Sequence, residues 1–151
     1  MGGITEAARC ADAPGAGAAG GLGYAGMLLG GRVCSGADYF LTLLGADDLL
    51  AASDFVVTGE GSLDEQSLSG KLPVALARRA RRLGVAVHAV AGRCTLPEDR
   101  TAAHFRSVQA LTDLTDQDCA RDSALSAHLL AQCGRTLADR WIGRGGTETS
   151  R

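Results

Sequence analysis

Aromatic side chains are scarce in this chain: three phenylalanines, two tyrosines and one tryptophan make up 4% of it. A core must be built instead from small aliphatic groups, and Ala, Leu and Val dominate the 46% hydrophobic content. Such side chains suit close packing of helices on a sheet. Lysine is scarcer still, with Lys71 the one lysine among 15 basic residues. Where arginine is otherwise preferred, a lone lysine points to a place that wants a compact point charge. The net charge of −2 comes with no basic stripe. Arg78, Arg79, Arg81 and Arg82 cluster without an interleaved aromatic and read as the solvated face of a helix, so no nucleic-acid partner is expected.

Five cysteines (Cys10, Cys34, Cys94, Cys119 and Cys133) form no CxxC pair, and an odd, scattered set reads as reduced thiols. His88, His104 and His128 stand at no metal-ligand spacing from one another or from the cysteines. No run of 18 apolar residues is present, so no membrane span is expected. A charged segment leading into an apolar one is also missing at the start, and a cytoplasmic location follows as the expectation.

What is present is a chain of 151 residues, the size of one domain, able to bury roughly 70% of its unfolded surface. Residues 1–19 read as an entry loop and residues 20–29 as a buried helix packed closely on another backbone. A helix is expected over 38–44 with Gly45 closing it, and a short one over 46–52. Phe55-Val56-Val57-Thr58 has the β-branched, apolar character of a strand buried on both faces, ending in Gly59-Glu60-Gly61. A polar loop, 62–70, follows. Pro73 sits where a helix would have its first position, with Val74, Ala77, Ala80 and Leu83 inward and the arginines outward. Further strands are expected over 85–91 and 107–111, then a long helix marked by Ala120, Ala124, Ala127, Leu130, Leu137 and Trp141, and a polar, disordered tail over 143–151. Strand–helix–strand order implies a parallel sheet, and the expected class is a three-layer α/β/α fold.

Two glycine-rich segments carry the candidate chemistry. Gly15-Ala16-Gly17-Ala18-Ala19-Gly20 has the GxGxxG spacing, which has dinucleotide-binding meaning only directly after a strand. Cys10-Ala11-Asp12-Ala13-Pro14 before it argues against a strand. The second segment, Thr58 to Lys71, lies past the carboxyl end of a strand, where open α/β sheets place ligands. It offers Glu60, Asp64 and Glu65, the hydroxyls of Ser62, Ser67 and Ser69, and the Lys71 ammonium beside a helix N-terminus. Carboxylates there could hold Mg²⁺ or orient a hydroxyl, and the lysine could neutralise phosphate. The plainer alternative is a surface loop in which Ser62 and Glu65 form a capping box. A Walker A loop is absent, because Leu72 follows Gly70-Lys71.

These two segments resemble class I glycerate kinases: residues 12–23 match that family's "PGAGAAGG" block, and Val57 to Asp64 with Gly70-Lys71-Leu72-Pro73 match its "TGEGRxDxQxxxGKxP" block. The resemblance implies ATP- and Mg²⁺-dependent phosphorylation of D-glycerate, commonly to 2-phosphoglycerate, in the cleft of a two-domain α/β fold. It implies Glu60, Asp64 and Lys71 as catalytic candidates and Asp64 as the metal candidate. Gly15, Gly17, Gly20, Gly21, Gly59 and Gly61 are its implied nucleotide-binding glycines. Two departures stand out: the family's arginine after TGEG is Ser62 here, and its "AGS" after the next strand reads Ala91-Gly92-Arg93. Residues 1–142 resemble only the C-terminal part of such kinases. The family's "PDSxK", "GGSATNDGG" and "CDVxNPL" segments have no counterpart among these residues. Self-association, or pairing with the missing N-terminal portion, is therefore expected. An inactive remnant and a metabolite-binding module are the competing readings.

Overall fold

The computed structural model describes residues 2–145, with side chains from 6 to 142. It divides into two compact units, 1–39 and 40–151, described separately.

The first unit opens with α1 (Gly2–Ala11) where the sequence suggests a loop. The run Ile4-Thr5-Glu6-Ala7-Ala8-Arg9 contains good helix formers and no breaker, which outweighs its flanking glycines. A turn over 18–21 leads into α2 (Leu22–Leu28). The close approach expected for this segment is present. A Cβ on Gly23 would collide with the Gly15 carbonyl oxygen, and the Tyr24 N–H donates to Ala16 O at 3.0 Å. Burial is not, since no α2 residue is buried: seven residues that include Gly23 and Gly26 offer little side-chain surface to cover.

The second unit begins within α3 (Gly36–Leu43) at Phe40 and continues to α4 (Ala46–Ala51), with Gly45 at φ 62° between the two helices. Its centre is a parallel sheet of β1 (Phe55–Leu63), β2 (Ala86–Cys94) and β3 (Ser107–Ala110) in the order β1-β2-β3. Between β1 and β2 come α5 (Glu65–Leu68) and α6 (Leu72–Arg82), and between β2 and β3 comes α7 (Glu98–Ala102). A turn over 111–113 leads toward α8 (Ser123–Gly145). Helices thus flank a parallel sheet, as the α/β expectation has it.

The core forms two layers. Val74, Ala77 and Ala80 of α6 pack with Val87, Ala89 and Ala91 of β2 and with Leu50, Leu63 and Phe105. On the other face Leu129 and Cys133 of α8 pack with Leu111 and Cys119, against Val90. Alternation along β2 sends odd residues to one layer and Val90 to the other.

Several local expectations are corrected. The first strand runs on through Gly59-Glu60-Gly61 to Leu63, so Ser62 belongs to strand, not loop. β1 is not buried on both faces: it is an edge of the sheet among the described residues, and Val57 is half exposed. Pro73 is the second residue of α6, with Leu72 first and Lys71 as N-cap. Leu83 is exposed, whereas Arg79 turns inward, because its guanidinium donates to Thr42 Oγ1 at 2.7 Å and meets Asp47 at 3.4 Å. The long helix begins at Ser123, and its buried stripe is Leu129, Cys133 and Leu137 at four-residue spacing, while Ala120, Ala124, Ala127 and Leu130 are exposed. That helix continues to Gly145, and the end of the expected tail lies outside the described residues.

Candidate active site

The carboxyl end of β1 delivers Glu60, the turn after it Asp64, and the start of α6 Lys71. The Lys71 ammonium stands 3.9 Å from Glu60 Oε2 and 3.7 Å from Asp64 Oδ1, so the three sequence candidates meet. Glu60 follows from strand parity: it pairs with Ala91 and shares the face that α6 covers. Its Oε1 is buried with no hydrogen-bond partner among the described residues. Leaving such a group unsatisfied costs on the order of 1–3 kcal/mol, more when charged.

Asp64 is differently employed. Its Oδ1 accepts the N–H of Gln66 (3.0 Å) and of Ser67 (3.2 Å), while Ser67 Oγ accepts the Asp64 N–H at 3.2 Å. This is a capping box, formed by Asp64 and Ser67 and not by Ser62 and Glu65. The displacement follows from β1 running to Leu63, which leaves Ser62 in the strand. Burial tends to raise the Asp64 carboxyl, but the Ser67 N–H, the Lys71 ammonium, the Ser62 hydroxyl and the Gln66 N–H outweigh it and hold it below the ordinary 3.8. Glu65 points elsewhere, to Arg100 at 3.1 Å on an exposed surface.

A residue that the sequence reading noted only as a departure joins this network. Ser62 and Arg93 are register partners across β1 and β2, and Arg93 Nε donates to Ser62 Oγ at 3.0 Å. The same Ser62 hydroxyl donates to Asp64 Oδ2 at 3.2 Å. Two glycines let the strands meet here: a Cβ on Gly59 would lie 2.8 Å from Val90 O, and one on Gly92 2.5 Å from Gly61 O. Beyond them, two cavities share Gly61 and Gly92. One, of about 670 Å³, lies between β1 and α8; the other, of about 280 Å³, is lined by Arg93, Thr112 and Gln117.

Gly15, Gly17, Gly20 and Gly21 belong to the first unit. Gly15, Gly20 and Gly21 have positive φ, at 91°, 69° and 99°. The segment follows α1, not a strand, so it lacks the context of a dinucleotide fingerprint.

Comparison with known proteins decides the family. The model of the glycerate kinase family matches residues 3–141. The chain belongs to the glycerate kinase family. A glycerate kinase of Halalkalibacterium halodurans is 36% identical over 132 residues, covering 85% of this chain and 34% of that protein. The glycerate 2-kinase of Escherichia coli K12 is 38% identical over 101 residues, or 66% of this chain and 26% of that one. A crystal structure from Salmonella typhimurium LT2, assigned as glycerate kinase 2, superposes with a TM-score of 0.65 at 25% identity. That match covers 94% of this chain and 39% of the other. The chain thus spans about a quarter to a third of the length of these curated relatives.

Proposed function

We propose that this chain forms one wall of a glycerate kinase cleft, in which ATP phosphorylates a hydroxyl of D-glycerate to give 2-phosphoglycerate. The observation that carries the reading is Glu60 Oε1, buried and unpartnered beside the only lysine, at the ligand-binding end of a parallel sheet. Family membership supplies the reaction class, and the glycerate 2-kinase relative supports the 2-position.

Magnesium fits this donor set. Mg²⁺ takes one or two carboxylates and completes its octahedron with water and phosphate oxygens. Among the described residues no group of three or more His, Cys, Asp or Glu could cage a metal, whereas Glu60 and Asp64 share one cation, Lys71. Those two carboxylates would hold the ion, which when bound neutralises charge on the transferring phosphoryl group. Asp64, kept ionised by its hydrogen bonds, is a poor base and serves to orient. Glu60 has the free lone pairs to accept a hydrogen bond from the acceptor hydroxyl. Lys71 is within reach of both and offsets phosphate charge. In the second unit Gly59 and Gly61 would let a ligand approach the backbone of β1, and in the first unit, taken by itself, Gly15, Gly17, Gly20 and Gly21 would leave backbone N–H groups open to an anion.

Phosphoryl transfer needs clamps on donor and acceptor together, so the opposite wall must come from sequence outside these 151 residues. Turnover by this chain alone is expected to be slight, and binding is the sharper test. Calorimetric titration with D-glycerate, 2-phosphoglycerate and Mg-ATP should show binding that Lys71→Ala weakens roughly tenfold or more. If none of the three binds, the proposal falls and an inactive remnant remains. If 2-phosphoglycerate binds but no ADP release above the Lys71→Ala control appears when the rest of a family polypeptide is added, the chain is a metabolite-binding module.

A further inference from the structure

We infer that Arg93 forms an oxyanion subsite at the carboxyl edge of the sheet, taking the carboxylate or phosphoryl group of a small acid. The inference deepens the proposed function and rests on it. Arg93 is exposed at the end of β2, and only its Nε is engaged, by Ser62 Oγ at 3.0 Å. A guanidinium has five N–H donors in a fixed fork, so four remain for a ligand, and no ion pair to Arg93 exists among the described residues.

The space in front of it is suitable. The cavity of about 280 Å³ is lined by Arg93, Gly61, Gly92, Thr112, Gln117 and Asp118, among others. That is near the lower bound of small-molecule sites, of about 300 Å³, and matches an acid of few atoms better than a whole nucleotide. Asp118 is its one carboxylate, and it is already paired with Arg121 at 3.6 Å. Thr112 and Gln117 add neutral donors. The hydrogen bonds from Arg93 to Ser62 and from Ser62 to Asp64 connect the arginine to the Glu60–Asp64–Lys71 cluster.

Register explains how the arginine comes to be there. Ser62 and Arg93 are paired neighbours on β1 and β2. Exchanging the two side chains would therefore keep one guanidinium and one hydroxyl at the same place. Ser62 also ties the arginine to the site, since its hydroxyl donates to Asp64 Oδ2 while accepting from Arg93.

The exchange supplies the test. The purified chain, Arg93→Ser and the double variant Ser62→Arg/Arg93→Ser are titrated with inorganic phosphate, D-glycerate and 2-phosphoglycerate. Arg93→Ser should weaken binding about 10- to 100-fold, the usual effect of losing a charge-assisted hydrogen-bond pair, and the double variant should recover most of it. Loss for D-glycerate and 2-phosphoglycerate with phosphate unchanged assigns the group to carboxylate; loss for phosphate and 2-phosphoglycerate with D-glycerate unchanged assigns it to phosphoryl; either supports the subsite. Arg93→Lys, which keeps the charge and lacks the fork, should fall between, and urea midpoints check that each variant is folded. Unchanged binding by Arg93→Ser, or a double variant as weak as the single, overturns the inference. If Lys71→Ala abolishes binding and Arg93→Ser does not, the proposed function stands and the subsite alone is overturned. A wild-type chain that binds none of the three overturns both.

Discussion

Replacing Gly92 with alanine adds a single methyl group, and the structure gives it nowhere to go. Its Cβ would lie 2.5 Å from the Gly61 carbonyl oxygen, contacts under 3.0 Å are essentially never made, and ordinary contact begins at 3.4 Å, so β1 and β2 must part by about 0.9 Å. The obstacle is backbone held in a parallel ladder, flanked by the pairs Glu60↔Ala91 and Ser62↔Arg93, and it cannot rotate aside as a side chain could. Overpacking of this kind costs about 1–3 kcal/mol. Gly134 is the control. It lies inside α8 with no atom within 4 Å of an added Cβ, so Gly134→Ala should stabilise by about 0.5–1 kcal/mol through helix propensity. The same chemical change should therefore act with opposite signs at two positions. In urea unfolding followed by circular dichroism, with a slope of about 1–3 kcal/mol per molar, the two midpoints should separate by roughly 1 M. A Gly92→Ala midpoint at or above that of wild type would refute the close-approach argument. A Gly134→Ala midpoint below wild type would refute the helix argument independently.

Two further outcomes follow from the second unit. Burial, then the charges of Arg78, Arg81 and Arg100, depress His104 below its ordinary 6.5. A folded value below the unfolded one means stability fully present above about pH 6.5 and lost as pH falls through the folded value. His104→Gln should flatten that fall when urea midpoints are compared between pH 5 and 7.5; an equal fall in the variant removes His104 as its source. The outer edge of β1, nine residues without lysine or proline, is open among the described residues, with Val57 half exposed. Such an edge invites pairing, so the chain should self-associate at concentrations on the order of 100 micromolar, and Val57→Lys should reduce this. Sedimentation velocity showing a single monomer species in the wild-type chain would count against it.

Legibility differed by scale. Element types in the second unit follow from local pattern: the β-branched run at Phe55, the strand expected over 85–91, and the spacing of Val74, Ala77 and Ala80 all appear as read. Element limits and facing did not. Arg79 resembles its arginine neighbours in sequence, yet Thr42 and Asp47 draw it inward from more than thirty positions away. The stripe of α8 was misplaced because alanines mark a helix without marking its buried side, which Leu129, Cys133 and Leu137 define. Acid, glycine and lysine clustered at the carboxyl end of a strand brought forward Glu60, Asp64, Glu65 and Lys71, and the resemblance to the family's block narrowed them to Glu60, Asp64 and Lys71.

By itself the sequence determined the family, the α/β class and the three charged candidates, since each rests on short-range order of residue types. Tertiary structure alone decided what those groups do to one another. Asp64 became a helix cap because β1 reaches Leu63, and Glu60 was left with an unpartnered oxygen because parity turns it toward α6. Ser62 and Arg93 lie 31 positions apart along the chain and become hydrogen-bonded neighbours only through the register of β1 on β2. Register is a property of the paired strands together, and no window of sequence contains it.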